Sequence, residues 1–297
     1  MSAPRLGLLL LGDKGLACLA GALASALPPS FVVVGEDPGQ DDRRHELRAR
    51  AAAAGLPVYE RTAPWPPATH LIAAGWRWLL PLSGPTVLVL HDSLLPKLRG
   101  WNPLVTALIE GETQLGVTAL RAVARPDAGP IIAQRSLAIA YPIRIAEAIA
   151  RLAPLYGELT QLLAARIAAG DALVGSPQDE AAATYSLWRD EADYDIDWSW
   201  EAARIRRFID ATGPPYRGAA ALCDGRPVRI LAAQEQADLA IVNRTPGKVL
   251  AVEDGQPLVV CGRGLLRLVD WRDAESGEPL RLPPGRLRLR FTARTPR

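Results

Sequence analysis

In its first half this chain alternates short, continuously apolar runs with longer stretches of helical spacing, and that alternation constrains the fold more than any other feature. Leu6–Leu11, Phe31–Val34, Leu71–Ala74 and Val87–Leu90 carry almost no polar side chain on either face. Strands of that kind are buried on both sides, as in parallel sheets covered by helices. Between and after them, Leu16–Leu27, Arg43–Ala54, Trp101–Glu110 and Ile143–Ala169 read as helices. Pro57–Tyr59 reads as a short extended piece, and Gly116–Leu120 and Ile131–Gln134 as two further strands. The pattern predicts an α/β fold, a Rossmann-like doubly wound sheet, in which ligands bind beyond the carboxyl ends of the strands. Gly12-Asp13-Lys14-Gly15, after the first strand, is neither a G-x-G-x-x-G nor a P-loop; it reads as a tight strand-to-helix turn.

The second half differs. From Gly170 to Asp197 the composition shifts to Gly, Ser and Pro, then to acids and aromatics, which suggests a linker. Ile196–Trp200 is expected to open a helix capped by Ser199, carrying Ile205, Phe208 and Ile209 and ending near Gly213. Short alternating segments with turns at Asp224-Gly225, Asp254-Gly255 and Gly262–Gly264 then predict a small β-barrel. The expected division is a catalytic domain over 1–183 and a linker helix with a C-terminal barrel over 184–297.

The chemistry concentrates where Val87–Leu90 runs into His91-Asp92-Ser93-Leu94-Leu95-Pro96-Lys97-Leu98-Arg99-Gly100. His91 ends a buried strand in a proline-broken loop, and Asp127 follows in Arg-Pro-Asp-Ala-Gly-Pro. An imidazole at a strand end, with a carboxylate returned to it by a neighbouring strand, is a compact acid/base pair. Of the other histidines, His45 lies in a charged helix and His70 follows a proline-rich loop. Trp76 and Trp78 suit either core packing or the lining of a ring-binding pocket.

Composition narrows the field. With 297 residues, 49% hydrophobic and 22% charged, the chain has core material for two domains. A net charge of +2 gives no global attraction to nucleic acid or anionic lipid. Cys18, Cys223 and Cys261 match neither a zinc spacing nor a disulfide framework, so no metal site is expected and a reducing, cytoplasmic setting fits. The Leu6–Leu11 run is too short for a secretory core or a membrane span and is expected to be a buried strand.

The segment from Val89 to Gly100, with Asp127-Ala128-Gly129, resembles the signature of the 10-formyltetrahydrofolate-dependent formyltransferases: Asn-x-His-x-Ser-Leu-Leu-Pro-x-x-(Arg/Lys)-Gly, then Asp-x-Gly. Ile196–Ser199 and Pro214–Ala219 look like the linker and barrel start of the methionyl-tRNA and sugar-nucleotide members. The resemblance implies 10-formyltetrahydrofolate as co-substrate, His91 and Asp127 as catalytic residues, Ser93, Leu94, Leu95 and Pro96 as the stretch lying against the folate, and an OB-like barrel. A homodimer is compatible with it. One departure stands out: the asparagine two residues before the histidine is here Val89, which cannot donate to an oxyanion. Asn102 is the closest amide in sequence; it either replaces that donor or caps the helix beginning at Pro103.

For the acceptor, the segment after the second strand, Gly35–Asp42, is short and acidic, where the methionyl-tRNA enzymes carry a basic loop; it would repel phosphate. The arginines of Leu287–Phe291 alternate as on an edge strand facing water. The expectation is a small-molecule amine, an amino sugar nucleotide first, with methionyl-tRNA, an amino acid or peptide, water, or folate binding without catalysis as alternatives.

Overall fold

The computed structural model describes residues 3–36, 43–283, 285–286 and 288–294. Most of the acidic Gly35–Asp42 segment, and Leu287 in the arginine-rich tail, lie outside the described residues. The chain separates into two compact units: one of residues 1–104, 113–139 and 147–187, the other of residues 105–112, 140–146 and 188–297.

The first unit is built on a seven-stranded sheet. In chain order its elements are β1 (Leu6–Leu10), α1 (Gly12–Leu23), β2 (Phe31–Val34), α2 (Arg44–Ala53), β3 (Val58–Glu60), β4 (His70–Ala74), β5 (Thr86–His91) and β6 (Arg99–Gly100). After α3 (Pro103–Glu110), most of which belongs to the second unit, come β7 (Gln114–Arg121), β8 (Ile131–Ala138), α4 (Ile145–Ala168) and β9 (Tyr185–Ser186). The strand order is β3-β2-β1-β4-β5-β7-β8. The first five strands are parallel, and β1, β2 and most of β4 are buried, as their apolar runs require. β7 and β8 run antiparallel, so the sheet is mixed at this edge, which the apolar pattern did not reveal.

The Gly12–Gly15 segment, expected to be a strand-to-helix turn, is instead the first turn of α1, with Leu11 alone joining strand to helix. Gly12 takes φ 64, so α1 starts directly after β1 and ends at Leu23, earlier than the spacing suggested. Helix α1 then meets α4 at very close range: a Cβ on Gly21 would lie 2.2 Å from the carbonyl oxygen of Gly157. Thr160 of α4 donates to the buried Cys18 Sγ at 3.1 Å in the same contact. α3 begins at Pro103, where proline's fixed φ and missing N–H suit a first helical position.

In the second unit, α5 (Ala202–Thr212) precedes β10 (Ala219–Cys223), β11 (Arg226–Gln236), β12 (Val249–Glu253), β13 (Gln256–Val260), β14 (Leu265–Asp273) and β15 (Phe291–Thr292). They form one antiparallel sheet in the order β12-β13-β14-β11-β10-β15. The Asp-Gly turns join β10 to β11 and β12 to β13, with positive φ at both residues of each pair, as tight hairpins demand. The two edges also approach each other: Val249 N donates to Leu289 O (3.0 Å) and Phe291 N to Gly247 O (2.7 Å). In the tail, Arg288 and Arg290 are exposed while Leu289 and Phe291 are buried, the alternation read from the sequence.

Ser199 does not cap α5. Its N–H and hydroxyl both donate to Asp197 Oδ1 (2.9 and 2.5 Å), which closes a local turn, and the helix starts only after Glu201. The Gly170–Asp197 stretch is likewise more than a tether, because residues 176–186 are bonded into the first unit. Among the described residues no helix is long and apolar enough to cross a membrane. No group of three or more His, Cys, Asp or Glu among them is placed to hold a metal ion.

Candidate active site

His91 is the last residue of β5, at the carboxyl end of the parallel strands, and is 7% exposed. Its Nε2 lies 2.9 Å from Leu98 O. A carbonyl can only accept, so with the ring in this orientation Nε2 carries a hydrogen. That leaves Nδ1 facing Asp127 Oδ1 at 3.6 Å, beyond a direct hydrogen bond but within ion-pair reach. The other oxygen, Asp127 Oδ2, accepts from the backbone N–H of Gly100 at 2.9 Å. The two residues singled out by the motif are therefore brought together, with the loop carrying Leu98 and Gly100 touching both.

Local backbone geometry makes this arrangement possible. Leu98, Asn102 and Asp127 all adopt left-handed φ (59, 50 and 52), and Gly100 between the first two takes φ 99. Aspartate and asparagine tolerate that region, whereas leucine does so at a cost of about 1–2 kcal/mol. The strain is thus concentrated on the residue whose carbonyl engages the imidazole. Asn102 itself is half-buried, immediately before α3 and two residues beyond Gly100.

Ser93–Pro96 forms a rigid shelf beside His91. Thr118 Oγ1, on β7, donates to Ser93 O (2.6 Å) and accepts from Leu95 N (3.2 Å). Gln134 Nε2, on β8, donates to Leu95 O (2.9 Å) and to Thr118 Oγ1 (2.8 Å). Ser93 Oγ closes the loop by donating to Lys97 O at 2.7 Å. Ser93 and Leu95 are buried, and Leu94 and Pro96 are half-buried, with Leu94 packed on the bare backbone of Gly116.

Val89 lies two residues before His91 and so faces the same side of the sheet. It is half-buried against an apolar cluster that includes Val87, Ala73, Phe31 and Trp76. Trp76 and Trp78 meet edge to face at 4.9 Å, Gly35 lies against Trp78, and Arg61 stacks over the Trp78 ring at 4.8 Å. Lys14 pairs with Asp92, next to His91.

Sequence reasoning missed several polar residues around the pair. Arg99 is fully buried and hydrogen-bonds Gln178 and Glu180, and Gln178 reaches the Asp127 loop. Hydrogen bonds from Arg99, then from Arg125, hold the Glu180 carboxyl down to about 2. Only Arg99 lay inside a motif; Gln178 and Glu180 sit in the apparent linker.

Comparison with known proteins agrees with this architecture. The formyl transferase family profile matches residues 72–153, and that of the formyl transferase C-terminal domain matches residues 189–278. A methionyl-tRNA formyltransferase of Roseiflexus sp. is 36% identical over 186 residues, 61% of this chain and 54% of that protein. The match thus spans about half of that relative's length. One from Methylococcus capsulatus is 29% identical over 290 residues, 91% of this chain and 89% of the relative. Among solved structures, HypX from Aquifex aeolicus in complex with tetrahydrofolic acid superposes with a TM-score of 0.63 at 22% identity, covering 96% of this chain and 47% of that one. An N-formyltransferase from Helicobacter canadensis, in complex with folinic acid and dTDP-3-aminofucose, gives 0.68 at 14% identity, covering 89% and 99%. With both of the family's regions present in order, this chain belongs to the formyltransferase family of enzymes.

Proposed function

We propose that this protein moves a formyl group from 10-formyltetrahydrofolate to the amine of a small molecule, with His91 and Asp127 as the catalytic pair. The observation that carries the reading is the His91–Asp127 approach at the carboxyl edge of the sheet, with Gly100 N–H holding the far carboxylate oxygen. In the transfer, the acceptor nitrogen bonds to the formyl carbon, the bond from that carbon to the folate nitrogen breaks, and a proton passes from the amine to the departing nitrogen. Asp127 faces the imidazole from within ion-pair reach and takes part in that proton movement. His91 donates to the oxyanion through Nε2–H, which must then be shared with, or released from, Leu98 O. Ser93, Leu94, Leu95 and Pro96 are the stretch against which the folate lies, a role suited to a backbone fixed by Thr118 and Gln134. Asn102 is a candidate oxyanion donor in place of the family's asparagine.

We read residues 1–183 as the catalytic domain and 184–297 as the linker helix and an OB-like β-barrel, a closure supported by the hydrogen bonds from residues 247–249 to 289–291. The three free, buried cysteines fit a reducing cytoplasm. For the acceptor, the acidic character of residues 35–42 and the bound dTDP-3-aminofucose of the Helicobacter enzyme favour an amino sugar nucleotide. The two relatives described above are methionyl-tRNA formyltransferases and favour a second reading with initiator tRNA as acceptor. A panel separates them: 10-formyltetrahydrofolate is incubated with dTDP-3-aminofucose, methionyl-tRNA, free amino acids or water alone, and products are weighed by mass spectrometry. Formylation of the sugar nucleotide supports the first reading. Efficient formylation of methionyl-tRNA, with binding that weakens steeply as salt rises, supports the second.

A further inference from the structure

Arg99 is 0% exposed, and a buried guanidinium is tolerated only where its donors are met. Here its Nε and Nη2 donate to Gln178 Oε1 (3.0 and 2.8 Å), and Nη1 and Nη2 donate to the two oxygens of Glu180 (3.0 and 2.9 Å). Gln178 is saturated in turn, because its Nε2 donates to Asp127 O and to Gly129 O, both at 2.7 Å. Two hydrogens and two lone pairs are thus all used. Because the Glu180 carboxylate is 57% exposed, its pairing with Arg99 adds little net stability, so the network calls for another explanation.

Its placement supplies one. Both ends of the network terminate on the loops that hold His91. Arg99 stands between Leu98, whose carbonyl engages Nε2, and Gly100, whose N–H engages Asp127 Oδ2. Gln178 grips the Asp127 turn by the carbonyls of Asp127 itself and of Gly129. The turn needs gripping because β7 runs against β5 and ends with Arg121 beside Leu88, three residues upstream of His91. The 122–130 loop must double back to deliver Asp127, which it does with Asp127 in left-handed backbone. Residues 176–186 are themselves anchored: Ser176 and Ile131 exchange two backbone bonds at 2.8 Å, and β9 pairs with β6.

We propose that Gln178, oriented by Arg99 and Glu180, is a positioning residue that sets the Asp127 carboxylate against His91. The proposal rests on the catalytic reading of His91 and Asp127 given above. Two variants test it. Gln178→Glu still accepts from Arg99 but loses both donors to the Asp127 loop, and Gln178→Asn keeps the amide on a stem too short to bridge. Two readouts apply to each: single-turnover loss of the formyl group from 10-formyltetrahydrofolate with the best acceptor of the panel, and amide hydrogen exchange at Gly100. The expected result is a rate about 10-fold or more below the parent, since small misplacements of reacting groups are costly. Affinity for 5-formyltetrahydrofolate stays within about 3-fold, as the shelf is untouched, and Gly100 exchanges faster while amides of β1 and β4 do not.

His91→Ala in the same assay separates the two claims. If it turns over like the parent, the site reading has failed and the positioning claim falls with it. If it is inactive while both Gln178 variants keep more than half the parental rate, or Gly100 exchange is unchanged in both, positioning by Gln178 alone is wrong. Failure of both variants to fold would assign Gln178 to stability and overturn the proposal equally.

Discussion

Replacing Val89 with asparagine restores the family's side chain at the one position where this site departs from the motif. Val89 sits on β5 opposite Ala73 and Leu120, half-buried, on the same face as His91. Losing its partly covered methyl groups costs about 1 kcal/mol at roughly 0.8 kcal/mol per fully buried methylene. An amide with incomplete partners adds about 1 kcal/mol, the lower end of the penalty for an unsatisfied group, because the position is only half-buried. A loss of about 2 kcal/mol corresponds to a fall of about 3 °C in melting temperature for a chain of this size. Against that, an oxyanion donor is worth about 10²–10³ in turnover where the surrounding geometry is tuned to it. Here the neighbouring apolar cluster is packed for valine, so we expect about a tenth of that or less, a rise of about 10-fold. The assay is single-turnover consumption of 10-formyltetrahydrofolate by excess Val89→Asn enzyme, with calorimetric folate binding as the control. An unchanged rate in a folded, folate-binding variant would show that other groups already hold the oxyanion. Asn102→Ala, lowering the rate by about 10²-fold, would then identify Asn102 as that group.

Three further outcomes follow from the structure. Gly21→Ala should lower the melting temperature on scanning calorimetry, because its Cβ would stand 2.2 Å from Gly157 O; overpacking of about 1–3 kcal/mol outweighs the roughly 1 kcal/mol by which alanine improves helix propensity. All three cysteines should resist a thiol reagent in the native protein at pH 8 and react on unfolding, since burial pushes Cys18 and Cys261 up to about 12 and Cys223 to about 11, leaving almost no thiolate. Isothermal titration with 5-formyltetrahydrofolate should show one site per chain, and Leu94→Asp, which puts a charge on the shelf at Gly116, should weaken it by at least about 10-fold.

Much of this was legible in the residues because the signals were local. Continuous apolar runs announce buried parallel strands, and His91-Asp92-Ser93-Leu94-Leu95-Pro96 announces its strand end and loop. The paired Asp-Gly turns of the second unit were equally plain. What stayed hidden depended on distance. The antiparallel direction of β7 and β8 is set by pairing, and β7, apolar and buried along almost its whole length, reads the same in either direction. Gln178 and Glu180 lie in a polar stretch whose composition is that of a linker, and only the fold brings them to a buried arginine. Ser199 misled because serine before a helix suits a cap, yet it is held in a local turn by donating to Asp197, and the helix begins only after Glu201, out of its reach.

The central claim is tested most directly by following the formyl group itself. Enzyme in excess is mixed with 10-formyltetrahydrofolate and the acceptor selected from the panel, and transfer is timed for the parent, His91→Ala and Asp127→Asn. The account predicts that each substitution slows transfer by about 10²-fold or more, with 5-formyltetrahydrofolate affinity and melting temperature little changed. Parental rates in either variant, with the fold intact, would contradict it.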